Sequence, residues 1–178
     1  MSKPPRDRAP ASSNTYFVTL SAYQRQSLFQ SVRVTELFLS TLFSYRDQSK
    51  FHVHEYVVMP NHVHLLITPQ PGVTLERTIQ LIKGGFSFRA GKELGIKKEL
   101  WQRGYVDHRI RDAVDYNHHR NYVWSNPVRS RLSERAEAFA FSSASGAFHL
   151  DFPPQGLKPL THARDDGTTE VVPSQPVF

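Results

Sequence analysis

The spacing of apolar positions changes several times along this chain, and each change predicts an element. Thr15 to Ser21 (Thr-Tyr-Phe-Val-Thr-Leu-Ser) is rich in β-branched and aromatic residues and reads as a strand. Val34, Leu37, Phe38, Leu42 and Tyr45 recur at helical spacing, which predicts an amphipathic helix over 32–46. Phe51 to Val58 and His62 to Thr68 read as two strands around Met59-Pro60-Asn61, where Pro and Asn supply turn chemistry. Leu75, Ile79, Ile82 and Phe86 mark a second helix over 74–90. Gly84-Gly85 weakens its middle and predicts a kink or a close approach of another backbone. Trp101 to Ile110 reads as a short strand with its approach loop. Asp112 is a good N-cap, with Asp115 a box-like partner, for a helix running to about Ser125. Pro127 is expected to end that helix, because proline disfavours helical geometry in the residue before it.

The order strand, helix, strand, strand, helix, strand, helix predicts an α/β (α+β) fold. Its expected form is a ferredoxin-like antiparallel sheet with helices packed on it. One domain is expected over 14–150. Residues 1–13 are basic and Pro-rich and are expected to form a flexible arm. Residues 132–150 are expected to pack back onto the domain. Residues 151–178 hold five prolines (153, 154, 159, 173 and 176) and read as a flexible tail.

Composition narrows the function. Hydrophobic residues make up 39% and aromatics 12%, enough for a real core. Lys and Arg number 22 against 16 Asp and Glu, a net charge of +6. That balance favours a polyanionic partner, most commonly nucleic acid. With no Cys, disulfides and thiolate metal sites are excluded. No apolar run approaches the ~20 residues of a membrane helix, and the N-terminus lacks the apolar core of a secretory signal. A cytoplasmic, nucleoid-associated protein with no membrane partner is the expectation.

His62 and His64 flank Val63 at the start of a strand. Residues two apart on a strand point the same way, so both imidazoles leave one face while Val63, Leu65 and Ile67 pack on the other. Two neutral imidazoles so placed can chelate a divalent cation. His52 and His54 have the same form. With the turn at 59–61, His52 pairs near Thr68 and His54 near Leu66, about 13 Å along the sheet from the level of His62. The four imidazoles therefore cannot share one compact site.

Further along, Tyr122 and Asn126 are four apart and share a helix face if helical geometry persists that far. An Asn oxygen is a hard ligand suited to Mg²⁺ or Mn²⁺. Two His and one amide would bind weakly and leave positions open, which suits a cation that polarises a phosphate. A tyrosine in line with a phosphodiester can attack phosphorus and form a covalent intermediate. Lys83, Arg89, Arg103, Arg109, Arg111, Arg120, Arg129 and Arg131 flank these residues in sequence, and Lys83, Arg103, Arg109, Arg111 and Arg120 are taken as the candidate DNA phosphate contacts.

The block Val57-Val-Met-Pro-Asn-His-Val-His-Leu-Leu-Ile67 resembles the HUH signature of single-tyrosine (Y1) transposases of the IS200/IS605 type. Tyr16-Phe-Val-Thr19, Trp101-Gln-Arg-Gly-Tyr-Val-Asp-His-Arg-Ile-Arg111 and Tyr122-Val-Trp-Ser-Asn-Pro-Val128 extend the resemblance to the REP-associated tyrosine transposases. It implies metal ligands His62, His64 and Asn126, and the nucleophile Tyr122. It also implies Mg²⁺- or Mn²⁺-dependent cleavage of single-stranded DNA near REP-like hairpins through a 5′-phosphotyrosine. It allows a monomer or a homodimer. IS200-type members often carry Gln at the position of Asn126. The resemblance selects His62/His64 over His52/His54, and leaves the latter as structural or DNA-proximal. Two alternatives stand beside it: a non-catalytic hairpin-binding protein of the same fold, and an HUH replication initiator or relaxase. Against the last, the Tyr122 helix offers no nearby Lys and the chain is too short for a helicase.

Overall fold

The computed structural model describes residues 14–153. The expected arm over 1–13 and the tail from 154 onward lie outside the described residues. Four strands, β1 (Tyr16–Ser21), β2 (Phe51–Met59), β3 (His62–Pro69) and β4 (Val106–Arg109), form one sheet in the order β2-β3-β1-β4. All three pairings are antiparallel. Three helices complete the layers: α1 (Val32–Asp47), α2 (Leu75–Leu94) and α3 (Ala113–Arg129). This is the ferredoxin-like arrangement expected from the order of elements.

The period-2 alternation of β3 separates the two faces. Val63, Leu65 and Ile67 join the main core with Phe38 and Leu42 of α1 and Ile82 and Phe86 of α2. His62, His64 and Leu66 therefore leave the opposite face, the one α3 covers. There Val123 packs on Val57 and Met59, and Tyr116 packs on Leu66 and Ile110. Tyr116 is 1% exposed, so it is a core residue of the helix entry.

Several boundaries differ from expectation. The helix expected over 74–90 spans Leu75–Leu94 and stops where Gly95 adopts a left-handed φ of 67°. It runs unbroken through Gly84-Gly85. A Cβ on Gly85 would lie 2.5 Å from Tyr45 Cε2, so the glycine marks a close approach by an aromatic ring. Trp101 makes an isolated bridge to Ala22, and the regular strand begins only at Val106. Asp112 caps α3 by accepting from Asp115 N at 2.8 Å. The Asp115 carboxylate, however, accepts from Arg111 N rather than returning to Asp112.

The main correction concerns Pro127, which sits inside α3. Proline lacks an N–H, so it removes one helical bond near the end of the helix. The turn is completed regardless by Ser130 N to Asn126 O at 3.0 Å and Leu132 N to Pro127 O at 2.8 Å. Asn126 and Arg129 therefore stay on the same helix as Tyr122.

A second surprise is a β-bulge in β2. His52 pairs with Thr68 as expected, but Glu55 rather than His54 sits opposite Leu66. The extra residue puts His54 and Glu55 successively on the α3 face. His54 bonds Thr68 Oγ1 at 2.7 Å and lies against Tyr116. Glu55 accepts from Trp124 Nε1 at 2.8 Å and from Ser143 Oγ at 2.5 Å. Residues 141–151 pack back along the free edge of β2, through Val58 N to Phe141 O and Asp151 N to Val53 O, each 2.9 Å. Asp151 also accepts from Val53 N at 2.8 Å and Arg46 Nε at 3.1 Å, which anchors the start of the expected tail to the sheet.

Candidate active site

The face of the sheet beneath α3 opens into a cleft of about 510 Å³. His62 and His64 form its floor, and Tyr122 and Asn126 descend from α3. The rings of His62 and His64 have centroids 4.7 Å apart, and Tyr122 stands 5.1 Å from His64 in an edge contact. Phe17 of β1 packs behind them, 5.2 Å from the His64 ring and 5.8 Å from that of Tyr122.

Hydrogen bonds orient both imidazoles. His62 Nδ1 lies 2.6 Å from Asn61 Oδ1, an oxygen that only accepts, so Nδ1 carries the proton. The lone pair is then on Nε2. Thr19, paired with His64 across the β1–β3 ladder, sets its hydroxyl 2.9 Å from His64 Nδ1. His64 Nε2 is buried and has no hydrogen-bond partner. An orphaned buried nitrogen is costly unless something else occupies its lone pair. A divalent cation does so, and His62, His64 and Asn126 offer it two imidazoles and an amide oxygen. Burial, and then the neighbouring His62, hold the His64 pKa down at about 3; burial, and then Arg25, lower that of His62. Both rings are therefore neutral near pH 7, the form a metal requires.

The other half of the cleft is cationic. Arg25 and Arg129 line it, and Arg129 Cζ lies 5.7 Å from the Tyr122 ring centroid. Sequence reasoning missed Arg25, which follows β1 in a short 3₁₀ turn with no motif to mark it. It also missed Thr19 as the partner of His64, although the alternation of β1 and β3 carried that signal.

Of the basic residues noted from the sequence, Arg129 lines this cleft, and the five put forward as DNA contacts lie outside it. Lys83 belongs to α2 on the opposite face, where Nζ donates to Gln102 O and Gly104 O at 2.8 and 2.9 Å. Arg103 is exposed on the loop before β4. Arg109 pairs with Tyr16, on the register parity of Val18 and the main core. Arg111 meets Asp115 at 3.4 Å. Arg120 lies over Trp124, with Cζ 5.1 Å from the ring.

His108, Asp115 and His119 form a second group of possible metal ligands, with ligand atoms within 4.8 Å of one another. Here the carboxylate is already engaged. Asp115 Oδ2 accepts from His108 Nε2 at 2.8 Å and lies beside the Arg111 guanidinium, while His119 Nδ1 stands 3.1 Å from Oδ1. These contacts tie β4 to α3. The pair His52/His54 is likewise consumed structurally, His54 by Thr68 and His52 by Gln70 Nε2 at 2.9 Å.

Comparison with known proteins identifies relatives of this chain. Over 152 residues, 85% of this chain and 86% of the relative, it is 29% identical to the REP-associated tyrosine transposase of Escherichia coli strain K12. It is 26% identical over 144 residues to an uncharacterized protein of Haemophilus influenzae, covering 64% of this chain and 79% of that one. A solved REP-associated tyrosine transposase bound to a REP hairpin shares the fold, with a TM-score of 0.66 at 22% identity over 97% of this chain and 99% of that one. Among the described residues no helix is long and apolar enough to cross a membrane. The profile of the family described as "Transposase IS200 like" matches residues 11–126, a span that includes His62, His64, Tyr122 and Asn126, and the chain belongs to that family of DNA-cleaving enzymes.

Proposed function

We propose that this protein cleaves and rejoins single-stranded DNA beside a hairpin, with Tyr122 as nucleophile and His62, His64 and Asn126 as ligands of a Mg²⁺ or Mn²⁺ ion. The observation that carries this reading is the orphaned Nε2 of His64, which faces the cleft shared with Tyr122 and Asn126. The bound cation would supply charge neutralisation on the non-bridging oxygens of the scissile phosphate. Tyr122 Oη attacks phosphorus and gives up its phenolic proton to solvent. The bond from phosphorus to the 3′-oxygen breaks, and that oxygen leaves as a 3′-hydroxyl after taking a proton. The product is a 5′-phosphotyrosine, which keeps the energy of the broken ester, so a second 3′-hydroxyl can reverse the step. Asn61 holds His62 in the tautomer that presents Nε2, and Thr19 fixes the orientation of the His64 ring. Phe17 packs on both Tyr122 and His64 and limits their movement. The hairpin in the solved relative makes REP-like palindromic DNA the substrate of choice.

The test is adduct formation. Labelled single-stranded DNA hairpins with REP-like palindromic stems are incubated with protein and Mn²⁺ and then denatured. A covalent protein–DNA band is expected with the natural chain and absent with Tyr122→Phe. No adduct on any of these hairpins would sink the reading.

A further inference from the structure

The cleft contains two guanidinium groups that metal ligation and nucleophilic attack leave without a task. Arg129 lies seven residues after Tyr122 on α3, so Tyr122, Asn126 and Arg129 form one stripe of the helix. Its guanidinium carbon stands 5.7 Å from the Tyr122 ring. Arg25 lines the same cleft and lies near enough to His62 to act on its charge. It sits just after β1 with φ of 57°, next to Gln24 at φ of 49°. Two successive left-handed residues without glycine are strained, and such strain persists where the surroundings fix it. Ala22 N donates to Asn61 O at 2.9 Å, which ties this turn to the one that carries His62. Gln24 N donates to Gln102 Oε1 at 3.3 Å on its other side. No carboxylate lines the cleft among the described residues. Two exposed arginines lining one cleft with a tyrosine, and no acid among the described lining residues, make a receptor for an anion.

We propose that Arg25 and Arg129 clamp the scissile phosphodiester from two sides and stabilise the charge that builds on it as Tyr122 attacks; this rests on the cleavage reading above. In the ground state a phosphodiester carries one negative charge. The five-coordinate transition state carries more on its equatorial oxygens, so donors aimed there act more strongly on it than on bound DNA. The planar fork of arginine can hold two of those oxygens at once, which a lysine cannot do.

The clamp is tested with Arg25→Gln, Arg129→Gln and Arg129→Lys, and with Arg33→Gln on the far side of the sheet as a control. Adduct formation is measured in a single turnover with Mn²⁺ at saturating hairpin. Hairpin affinity is measured separately by fluorescence anisotropy in the Tyr122→Phe background, and folding by thermal unfolding. Each Gln variant should slow adduct formation by about 10²-fold at saturating DNA, while its hairpin Kd changes less than about fivefold. Arg129→Lys should keep the fold and recover only part of the rate. A loss abolished by raising the DNA concentration would make these arginines binding contacts and overturn the clamp. Gln variants cutting within threefold of the natural chain would also overturn it. If the natural chain forms no adduct, the cleavage reading and the clamp fall together; if it does and the arginines prove silent, only the clamp falls.

Discussion

Thr19 Oγ1 lies 2.9 Å from Nδ1 of His64, and this hydrogen bond holds the ring with Nε2 toward the cleft. Thr19→Val keeps the shape of the residue and removes the hydroxyl. Such partners of ligating histidines are typically worth 10- to 100-fold in metal affinity. We expect Mn²⁺ affinity, measured by isothermal titration calorimetry, to fall by that amount with little change in melting temperature. An unchanged affinity would mean that Thr19 does not orient His64.

The two histidine clusters make opposite predictions for a metal titration. His64→Gln should abolish Mn²⁺ binding followed by electron paramagnetic resonance. His108→Gln should leave it within about twofold, because Asp115 is already held by Arg111 and His119. The reverse pattern would move the metal centre to the β4–α3 junction.

Acid should weaken the fold in a defined window. The folded His64 has a pKa near 3 against an ordinary value of 6.5, so between these values the unfolded chain binds a proton that the folded chain does not. Stability due to this group is fully present above about pH 6.5 and declines as the pH falls towards 3. The slope from one such group is at most ~1.4 kcal/mol per pH unit. His54, also lowered chiefly by burial, adds with the same sign. Urea unfolding at pH 7.5, 6 and 5 in a metal-free buffer measures the slope, and His64→Gln should make it shallower. A slope that is flat over this range, or unaltered by the substitution, contradicts the assignment.

Gly84 and Gly85 should respond differently to alanine. A Cβ on Gly84 meets open space, whereas on Gly85 it meets the Tyr45 ring. Gly84→Ala should stabilise α2 by up to ~1 kcal/mol through helix propensity. Gly85→Ala should gain less or destabilise, and should recover the gain in a Tyr45→Ala background. Denaturation of the four variants as a double-mutant cycle reads the coupling; a coupling of zero removes the close approach as the reason for the glycine.

Much of the fold and the convergence of four side chains could be read from apolar periodicity and one short block. The β3 alternation assigned His62 and His64 to one face and Val63, Leu65 and Ile67 to the core, as the structure has them. The i, i+4 relation of Tyr122 and Asn126 was also legible. What stayed hidden depends on non-local packing. The bulge at His54 does not alter the composition of β2 and emerges only from its register with β3. Arg25 is near the site because a turn after β1 is tied to the β2–β3 turn, nearly forty residues further on. Lys83, Arg103, Arg109, Arg111 and Arg120, close in sequence, lie outside the cleft for the same reason. On a sheet, neighbours alternate between faces, so Arg109 and His108 point to opposite sides.

Pro127 was expected to stop the helix, and instead divides it mechanically. Without its N–H, the carbonyl of Val123 loses its helical partner between the turn that carries Tyr122 and the turn that carries Arg129. The first of these turns is held by Val123 in its apolar seat on Val57 and Met59. In the second, residues 128–130 are exposed. The helix thus carries Tyr122 on a turn anchored by its apolar seat, and Arg129 on an exposed turn beyond the missing bond. Under the proposed cleavage, this would let the Arg129 guanidinium adapt to a bound phosphate while Tyr122 stays on the packed turn.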